Sequence, residues 1–232
     1  MSDTIAENKK DTFIAMFTHD LKGPINSGIF ALELLLRDSK RSKLNEYQKE
    51  LITDILRASK FMKNLTENAL CKYKVESGKY ELNKEYAPLD KIIDDCILAA
   101  KYSLYEKNQK INFNRPKENI YAHIDVIEIK RVILNLISNA IKYSNKNSMI
   151  NITLKKLSNS VYFEIQDQGC GINLNELSMA FEKYVRLANE QKSAGTGLGL
   201  YITKLIIDAH RGNIYIDSKI GKGTKIFFEI PI

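Results

Sequence analysis

The sequence is poor in tryptophan, proline and cysteine. Its 232 residues contain no tryptophan, four prolines and three cysteines. Cys71, Cys96 and Cys170 are far apart, odd in number and without metal-site spacing, which argues against a disulfide or zinc framework and favours a reducing compartment. No apolar run reaches the ~20 residues that span a bilayer, and the start MSDTIAENKK is too polar for a signal peptide. We therefore expect a cytoplasmic chain, either a soluble protein or the intracellular part of a longer one.

A concentrated block of charge is also missing. Although the formal net charge is +7, the 35 Lys and Arg residues are spread along the chain among 28 Asp and Glu residues. This distribution is typical of solvated surfaces and predicts no nucleic-acid partner. With 44% hydrophobic and 27% charged residues the chain has a globular balance, and its length suits one large domain or two small ones.

The first third of the chain has the apolar periodicity of two long helices separated by the polar stretch RDSKRSKLNE at residues 37–46. Two helices alone bury little surface, so the pattern predicts a hairpin that dimerises into a four-helix bundle. Pro24 should bend the first helix just after His19. The apolar positions, at steps of three and four, are Ile14, Phe17, Leu21, Ile25, Ile29, Leu32 and Leu36, then Tyr47, Leu51, Ile55, Ala58, Met62, Leu65, Ala69 and Tyr73.

After a polar linker at residues 77–85 the pattern alternates between helices and strands. Asp125 is a suitable N-cap for the second of three helices. This half of the chain should form an α/β sandwich, in which a mixed sheet carries helices on one face. The predicted helices cover residues 89–107, 125–143 and about 198–209, and the predicted strands cover 110–113, 149–155, 160–166, 213–218 and 225–230.

One candidate reactive group lies in the segment FTHDLKGP. Because Phe17 and Leu21 belong to the apolar stripe, His19 should point to solvent with the carboxylate of Asp20 beside it. A carboxylate next to an imidazole can orient the ring or take its proton as a ring nitrogen attacks an electrophile. A surface His-Asp pair is also compatible with a plain solvated face. We interpret His123 as structural and His210 as a helix C-terminal residue favoured by the dipole.

A second group of candidates shares one face of the predicted helix at 125–143. Asn135, Asn139 and Lys142 are spaced four and three residues apart, while most of the other positions around them are apolar. Amide oxygens are hard ligands suited to Mg²⁺, and a lysine one turn away supplies charge for phosphates. A polar surface face explains each residue singly but explains the set poorly.

Two glycine-rich segments complete the candidates. DQGCGI, residues 167–172, combines an acid that can accept a hydrogen bond from an exocyclic amine with glycines that permit close approach of a ligand. GTGLGL, residues 195–200, precedes an apolar helix and suits a phosphate cradle of backbone N–H groups. Each could be a simple turn, and no Walker or dinucleotide motif is present. The three cysteines, Cys170 included, are interpreted as small packing residues.

Taken in order, these four segments resemble the H, N, G1 and G2 boxes of sensor histidine kinases. FEKYVR at residues 181–186 is similar to the F box, and GKGT at residues 221–224 to the last glycine turn. The resemblance implies an α+β chain with a HisKA-type hairpin, a four-helix bundle as the dimer, followed by an α/β sandwich of the GHKL ATPase type. The implied domains are residues 1–76 for dimerisation and phosphotransfer and 86–232 for ATP binding, joined by the 77–85 linker.

The resemblance also implies roles and ligands. His19 would be the phosphoacceptor with Asp20 as its acid–base partner, and residues 183–196 the ATP lid. ATP and Mg²⁺ would be the cofactors, with Asn139 and Asn135 at the metal. The implied ATP-binding residues are Asn135, Asn139, Lys142, Tyr143, Asp167, Gly169, Gly171, Gly195, Thr196, Gly197, Leu198 and Gly199. The implied partners are a second copy of the chain and a response regulator receiver domain that docks near Asn26, Ser27 and Phe30. A membrane contact would come only through a sensor region outside these residues.

Gly23 departs from the family pattern. Sensor histidine kinases usually carry threonine or asparagine four residues after the histidine, where it positions a water for dephosphorylating the partner. Gly23 therefore predicts weak phosphatase activity with kinase activity retained. Two other functions stay open: a GHKL-type ATPase without a histidine acceptor, which leaves FTHDLK unexplained, and a non-catalytic scaffold, which leaves the glycine and asparagine segments unexplained.

Overall fold

The computed structural model describes residues 21–37, 43–76, 80–182, 185 and 197–232. The chain divides into two compact units, Met1–Tyr80 and Glu81–Ile232. Within the described ranges, no helix is long and apolar enough to cross a membrane. The proposed limits of the two domains and the linker stay a prediction.

The first unit contains a helical hairpin, as predicted. Helix α1 runs through residues 21–37 and continues past Pro24, and α2 spans Glu46–Glu76. A reciprocal pair of hydrogen bonds starts α2: Asn45 Oδ1 accepts from the Gln48 N–H at 2.8 Å, and Gln48 Oε1 accepts from the Asn45 N–H at 3.0 Å. This capping box satisfies two N–H groups that would otherwise lack partners at the helix start. Glu33 and Lys60 form an ion pair of 2.7 Å between the helices.

Large apolar side chains line the outside of this hairpin. The outer stripe of α2, as we call it, consists of Tyr47, Leu51, Ile55, Met62 and Leu65, whose exposed fractions range from 37% to 68%. These are members of the apolar series seen in the sequence, yet within one chain they are exposed. The hairpin alone leaves a stripe of this length exposed. The predicted dimer would cover it with apolar side chains of the second copy.

The second unit is the predicted α/β sandwich. Its five-stranded sheet has the order β2-β4-β5-β7-β6, in which β2 and β4 are parallel and the other neighbours antiparallel, and β1 and β3 form a separate antiparallel pair. In chain order the elements are β1 Glu85–Pro88, α3 Leu89–Glu106, β2 Lys110–Asn114, β3 Tyr121–Ile124, α4 Val126–Tyr143, β4 Met149–Lys156, β5 Ser160–Gln166, α5 Leu174–Leu177, α6 Gly199–Ala209, β6 Asn213–Lys219 and β7 Gly223–Pro231.

The core lies between this sheet and the helices on one of its faces. Alternate residues of the central strands are fully buried, and the rings of Phe163 and Phe228 stack at 4.9 Å in the middle of the core. Helix α4 buries seven apolar residues at steps of one, three and four along one side. Burial of that side leaves its remaining face, which carries Asn135 and Asn139, to the functional site.

Asp125 organises the start of α4, as the sequence predicted. Its Oδ1 accepts from the N–H groups of Ile127 and Glu128, each at 3.1 Å. The other oxygen, Oδ2, accepts from the Asn83 N–H at 2.9 Å, which ties the segment entering this unit to the helix. One carboxylate therefore caps α4 and fixes the incoming chain at the same time.

His210 joins the end of α6 to the start of α4. It is 3% exposed, its Nε2 accepts from the Asp125 N–H at 3.0 Å, and its Nδ1 lies 2.8 Å from the Ile206 carbonyl, to which it donates. Burial lowers the pKa of His210, and the hydrogen bond to Ile206 opposes that shift. Because Nε2 accepts a hydrogen bond, the ring is neutral. The predicted position at a helix end is confirmed, but the dipole explanation was wrong because it required a charged imidazole.

Acid should weaken this unit through His210. Below the ordinary pKa of 6.5 the unfolded chain binds a proton that the buried ring resists, so stability present above that pH is lost as the pH falls. Asp125, Glu128 and Lys84 face the ring and set how far its pKa is lowered. We expect urea unfolding to show a loss of up to about 1 kcal/mol per pH unit between pH 6.5 and the lowered pKa.

The control for this experiment is the exposed His123 on β3. His210→Gln should remove the acid-dependent loss, whereas His123→Gln should retain it. Equal pH profiles for wild type and His210→Gln would contradict the assignment.

Candidate functional site

The polar face of α4 forms one wall of the site. Asn135, Asn139, Lys142 and Tyr143 are half-buried at its C-terminal half, where Lys142 Nζ lies 4.7 Å from the centre of the Tyr143 ring. The helix places the two amides and the lysine on one side because they follow each other at steps of four and three. The structure therefore brings these four predicted residues together.

Two residues that the sequence did not single out hold the C-terminal end of α4. Lys107 Nζ donates to the carbonyls of Ile141 and Lys142, both at 2.7 Å. Gln109 Nε2 donates to the Ile141 carbonyl and to two carbonyls just beyond the helix at 2.9 to 3.2 Å. These donors satisfy carbonyls that a helix end leaves unpaired, and desolvation lowers the pKa of Lys107. They fix the turn that carries Lys142.

Asp167 forms the floor of the site, directly after β5. It is 7% exposed, and its Oδ1 accepts from the N–H groups of Gly169 at 2.8 Å and Thr224 at 3.2 Å. Burial raises the pKa of the carboxyl, and the two N–H groups oppose that shift. Within the described part of the chain Oδ2 receives no hydrogen bond from protein. This oxygen can therefore accept from a ligand.

Gly169 is required where the Asp167 loop meets α4. A bridge joins Ser144 to Gly169, and a Cβ added to Gly169 would lie 2.4 Å from the Tyr143 carbonyl oxygen. No side chain fits there, so the backbone of the loop lies directly against the end of α4. The predicted residue Gly171 lies further along the same loop, beside the Lys219 carbonyl.

Ser218 anchors the far side of the loop and was missed by the sequence analysis. Its hydroxyl accepts from the Ile172 N–H and donates to the Gly223 carbonyl, both at 2.9 Å. It thus ties the DQGCGI segment to the turn between β6 and β7. Cys170 in this segment is exposed. The interpretation of Cys170 as a packing residue was wrong, because its neighbours Gly169 and Gly171, and not its thiol, make the close contacts.

The start of α6 closes the third side. Asn135 Nδ2 donates to Thr203 Oγ1 at 2.9 Å, and a Cβ on Gly199 would lie 2.6 Å from Asn135 Oδ1. Of the glycine segment, Gly197, Leu198 and Gly199 are described. Gly195 and Thr196 lie outside the described residues, as do His19, Asp20 and most of the proposed lid at 183–196.

These three parts of the second unit together carry groups suited to a phosphorylated nucleotide. A buried carboxylate oxygen, two amides, a lysine and backbone N–H groups at the start of an apolar helix supply both acceptors and donors. Among the described residues, no group of three or more His, Cys, Asp and Glu side chains is placed to hold a metal. A divalent ion here would need amide oxygens and oxygens of the nucleotide itself.

Comparison with known proteins shows the family of the chain. Residues 124–232 match the family described as histidine kinase-, DNA gyrase B- and HSP90-like ATPase, which contains α4, the Asp167 loop and α6. Residues 9–78 match the His Kinase A (phospho-acceptor) domain, which contains the hairpin. The second unit is therefore an ATPase domain of the GHKL class. With both domains in this order, the chain belongs to the sensor histidine kinases.

Relatives match over nearly the whole chain. The hybrid signal transduction histidine kinase B of Dictyostelium discoideum is 30% identical over 97% of this chain and 12% of its own length. The sensor histidine kinase WalK of Bacillus subtilis is 29% identical over 97% of this chain and 37% of its own length. The crystal structure of full-length ShkA in complex with AMPPNP shares the fold, with a TM-score of 0.73 at 22% identity over 95% of this chain and 45% of that one. The chain thus spans between about an eighth and half of these proteins.

Proposed function

We propose that this chain transfers the γ-phosphoryl group of ATP to His19 and then to an aspartate of a response regulator receiver domain. The observation that carries the proposal is the site, in which Asp167 Oδ2 accepts no hydrogen bond from the described residues and the Asp167 loop lies against the end of α4, the helix that carries Asn135 and Asn139. A HisKA match over residues 9–78, which include His19, supports that histidine as the acceptor.

The nucleotide would be held by groups with separate tasks. Asp167 Oδ2 accepts a hydrogen bond from the adenine amino group, and Gly169 and Gly171 let the ring approach the backbone. Lys142 and Tyr143 lie at the nucleotide and its phosphates, and Gly195 to Gly199 supply backbone N–H groups to the phosphates. Phosphoryl transfer requires mainly positioning and charge neutralisation, which these groups provide.

Mg²⁺ fits the residues present. Asn139 would hold it, with Asn135 contributing to the metal or its waters, because amide oxygens are hard donors suited to this ion. When bound, the ion would neutralise phosphate charge. The chain's own residues would bind the nucleotide and orient it for transfer.

His19 would act as the nucleophile. One ring nitrogen attacks the γ-phosphorus, the bond from that phosphorus to the bridging oxygen breaks, and ADP leaves with the electron pair. Asp20 orients the ring and accepts the proton from the other nitrogen. The phosphoryl group then passes from His19 to the receiver aspartate, which regenerates the imidazole.

Two protein partners are part of this proposal. A second copy of the chain would cover the outer stripe of α2, giving a four-helix bundle. The receiver domain would dock on α1 below His19, where Asn26 and Ser27 are exposed and Phe30 is 69% exposed.

The test is labelling with γ-phosphate-labelled ATP. We expect an acid-labile, alkali-stable label on the wild type that is absent from His19→Gln, since phosphoryl on imidazole nitrogen has that stability. His123→Gln should keep the label because His123 is an exposed side chain on β3 of the other unit. ATP hydrolysis without label would favour the ATPase alternative, and absence of ATP binding would favour the scaffold.

Gly23 should limit phosphatase activity. It is exposed within α1, and an added Cβ would meet no atom of the described residues within 4 Å, so a side chain fits among them without moving the helix. We expect Gly23→Thr to raise dephosphorylation of a phosphorylated receiver domain several-fold, because threonine adds a hydroxyl that can position a water. The measurement is loss of label from the receiver domain in the presence of ADP.

Gly28 provides the matched control. It lies in the same helix and also has nothing within 4 Å of an added Cβ. Gly28→Thr should change helix propensity by the same few tenths of a kcal/mol as Gly23→Thr. It should leave dephosphorylation unchanged. Rapid dephosphorylation by the wild type would contradict the role of Gly23.

A further inference from the structure

Asn135 has neighbours on α6 that decide which way its amide faces. Its Nδ2 donates to Thr203 Oγ1 at 2.9 Å, and its Oδ1 faces the first turn of α6 at Gly199. Thr203 is 1% exposed, so no solvent competes for this hydrogen bond. The two ends of the amide are therefore in different surroundings.

We propose that Thr203 is a positioning residue that fixes the amide of Asn135 with its oxygen facing the phosphate end of the site. The inference rests on the proposed function and adds to it a residue that none of the sequence motifs contains. Thr203 does not face the cleft. It acts through Asn135.

The chemistry of the two amide ends explains why this orientation matters. The amide oxygen is an acceptor and a hard metal ligand, whereas the amide nitrogen only donates. If the amide turned over, the NH₂ group would face the metal and the oxygen would face Thr203. The Thr203 hydroxyl accepts from Nδ2, so this hydrogen bond holds the nitrogen end of the amide on the Thr203 side. The structure shows Nδ2 as the donor and thereby assigns Oδ1 to the nucleotide side.

Two contacts between α6 and α4 support this assignment. A Cβ at Gly199 would overlap Asn135 Oδ1, at 2.6 Å, and would also lie 3.1 Å from Nδ2, so the glycine is what admits the amide against the helix start. At its other end α6 is joined to α4 by His210. Helix α6 thus holds Thr203 in a fixed position relative to Asn135.

The experiment compares Thr203→Val, which has the same shape without the hydroxyl, with Thr203→Ser, which retains the hydroxyl. We expect Thr203→Val to weaken binding of ATP in the presence of Mg²⁺ by about fivefold to tenfold, as expected for one lost hydrogen bond in a buried site. The Mg²⁺ concentration for half-maximal autophosphorylation should rise by a similar factor. Thr203→Ser should remain within about twofold of the wild type, because its hydroxyl still accepts the hydrogen bond.

Thr153→Val is the control, since Thr153 lies on β4 on the sheet face away from the helices. It should leave ATP binding and Mg²⁺ dependence unchanged. Equal behaviour of Thr203→Val and wild type would overturn the inference. So would an equal loss of ATP affinity with and without Mg²⁺, which indicates packing alone. If the wild type itself binds no ATP, the proposed function fails instead, and the two failures are distinguishable.

Discussion

Replacing Asp167 by asparagine should weaken ATP binding by about 100-fold, the cost of a lost charge-assisted hydrogen bond together with a mismatched donor. In the wild type Oδ1 accepts from the Gly169 and Thr224 N–H groups, so in the variant the single amide oxygen must take that place. The NH₂ group then faces the ligand where a carboxylate oxygen stood. The adenine amino group would meet a donor instead of an acceptor.

The same geometry predicts a change in base preference. Inosine triphosphate has a carbonyl where ATP has the amino group, and a carbonyl can accept from the new NH₂ group. Asp167→Asn should therefore bind inosine triphosphate more tightly than ATP, which reverses the preference expected of the wild type. Both affinities are measured by calorimetric titration.

Asp217→Asn is the matched control for this substitution. The Asp217 carboxylate is 72% exposed on β6 and pairs with Lys225 at 3.5 Å, so its replacement should leave both affinities unchanged. An equal loss for both nucleotides in Asp167→Asn would show that the loop had rearranged. Unchanged ATP affinity would show that Asp167 does not contact the base.

Gly223→Ala should disrupt the site through the backbone. Gly223 has φ +91°, and an added Cβ would lie 2.0 Å from the Asp167 carbonyl oxygen and 3.0 Å from Gln168 Cα. Since Asp167 N–H also donates to the Thr224 carbonyl at 2.9 Å, displacement of β7 moves the carboxylate that reads the base. We expect a loss of about 3 kcal/mol or more in the free energy of unfolding, as for severe backbone strain with overlap, and no measurable ATP binding.

Gly221→Ala is the control that distinguishes the effect of backbone strain from the effect of steric overlap. It too has a positive φ, +74°, but nothing lies within 4 Å of an added Cβ. Gly221→Ala should cost only the roughly 1 kcal/mol of placing a side chain in the left-handed region. Urea unfolding and ATP titration of both variants test this difference. Similar losses for the two would mean that the Asp167 contact adds nothing.

The strongly periodic elements were predictable from sequence. The predicted limits of α3, α4 and α6 agree with the structure to one residue, because each helix buries a continuous apolar side. The strands of the five-stranded sheet agree to within two residues for the same reason, since their alternation reflects one buried face.

The short elements were missed because long-range contacts form them. β1 and β3 have four residues each and pair although residues 89–120 separate them, and Tyr86 stacks on Tyr121 at 5.1 Å. α5 is a single turn begun by Asn173, whose side chain accepts from the Asn175 N–H. Four residues cannot show a period, so nothing local marks these elements.

In the site, too, local features were predictable from sequence and long-range contacts were not. That Asn135, Asn139 and Lys142 share a face follows from helical spacing. That Thr203 holds Asn135, or that Ser218 holds the Asp167 loop, depends on segments far apart in sequence coming together. A polar residue inside the apolar run of α6 was the one available signal for Thr203, since a buried hydroxyl requires a partner.

The carboxylate of Asp125 joins the segment that leads into the second unit to the start of α4. Oδ2 accepts from the Asn83 N–H in the segment that leads into β1, while Oδ1 accepts from the Ile127 N–H in the first turn of α4. The same helix carries Asn135 and Asn139 about three to four turns further on. The segment that enters the second unit is therefore hydrogen-bonded to the start of the helix that forms one wall of the site.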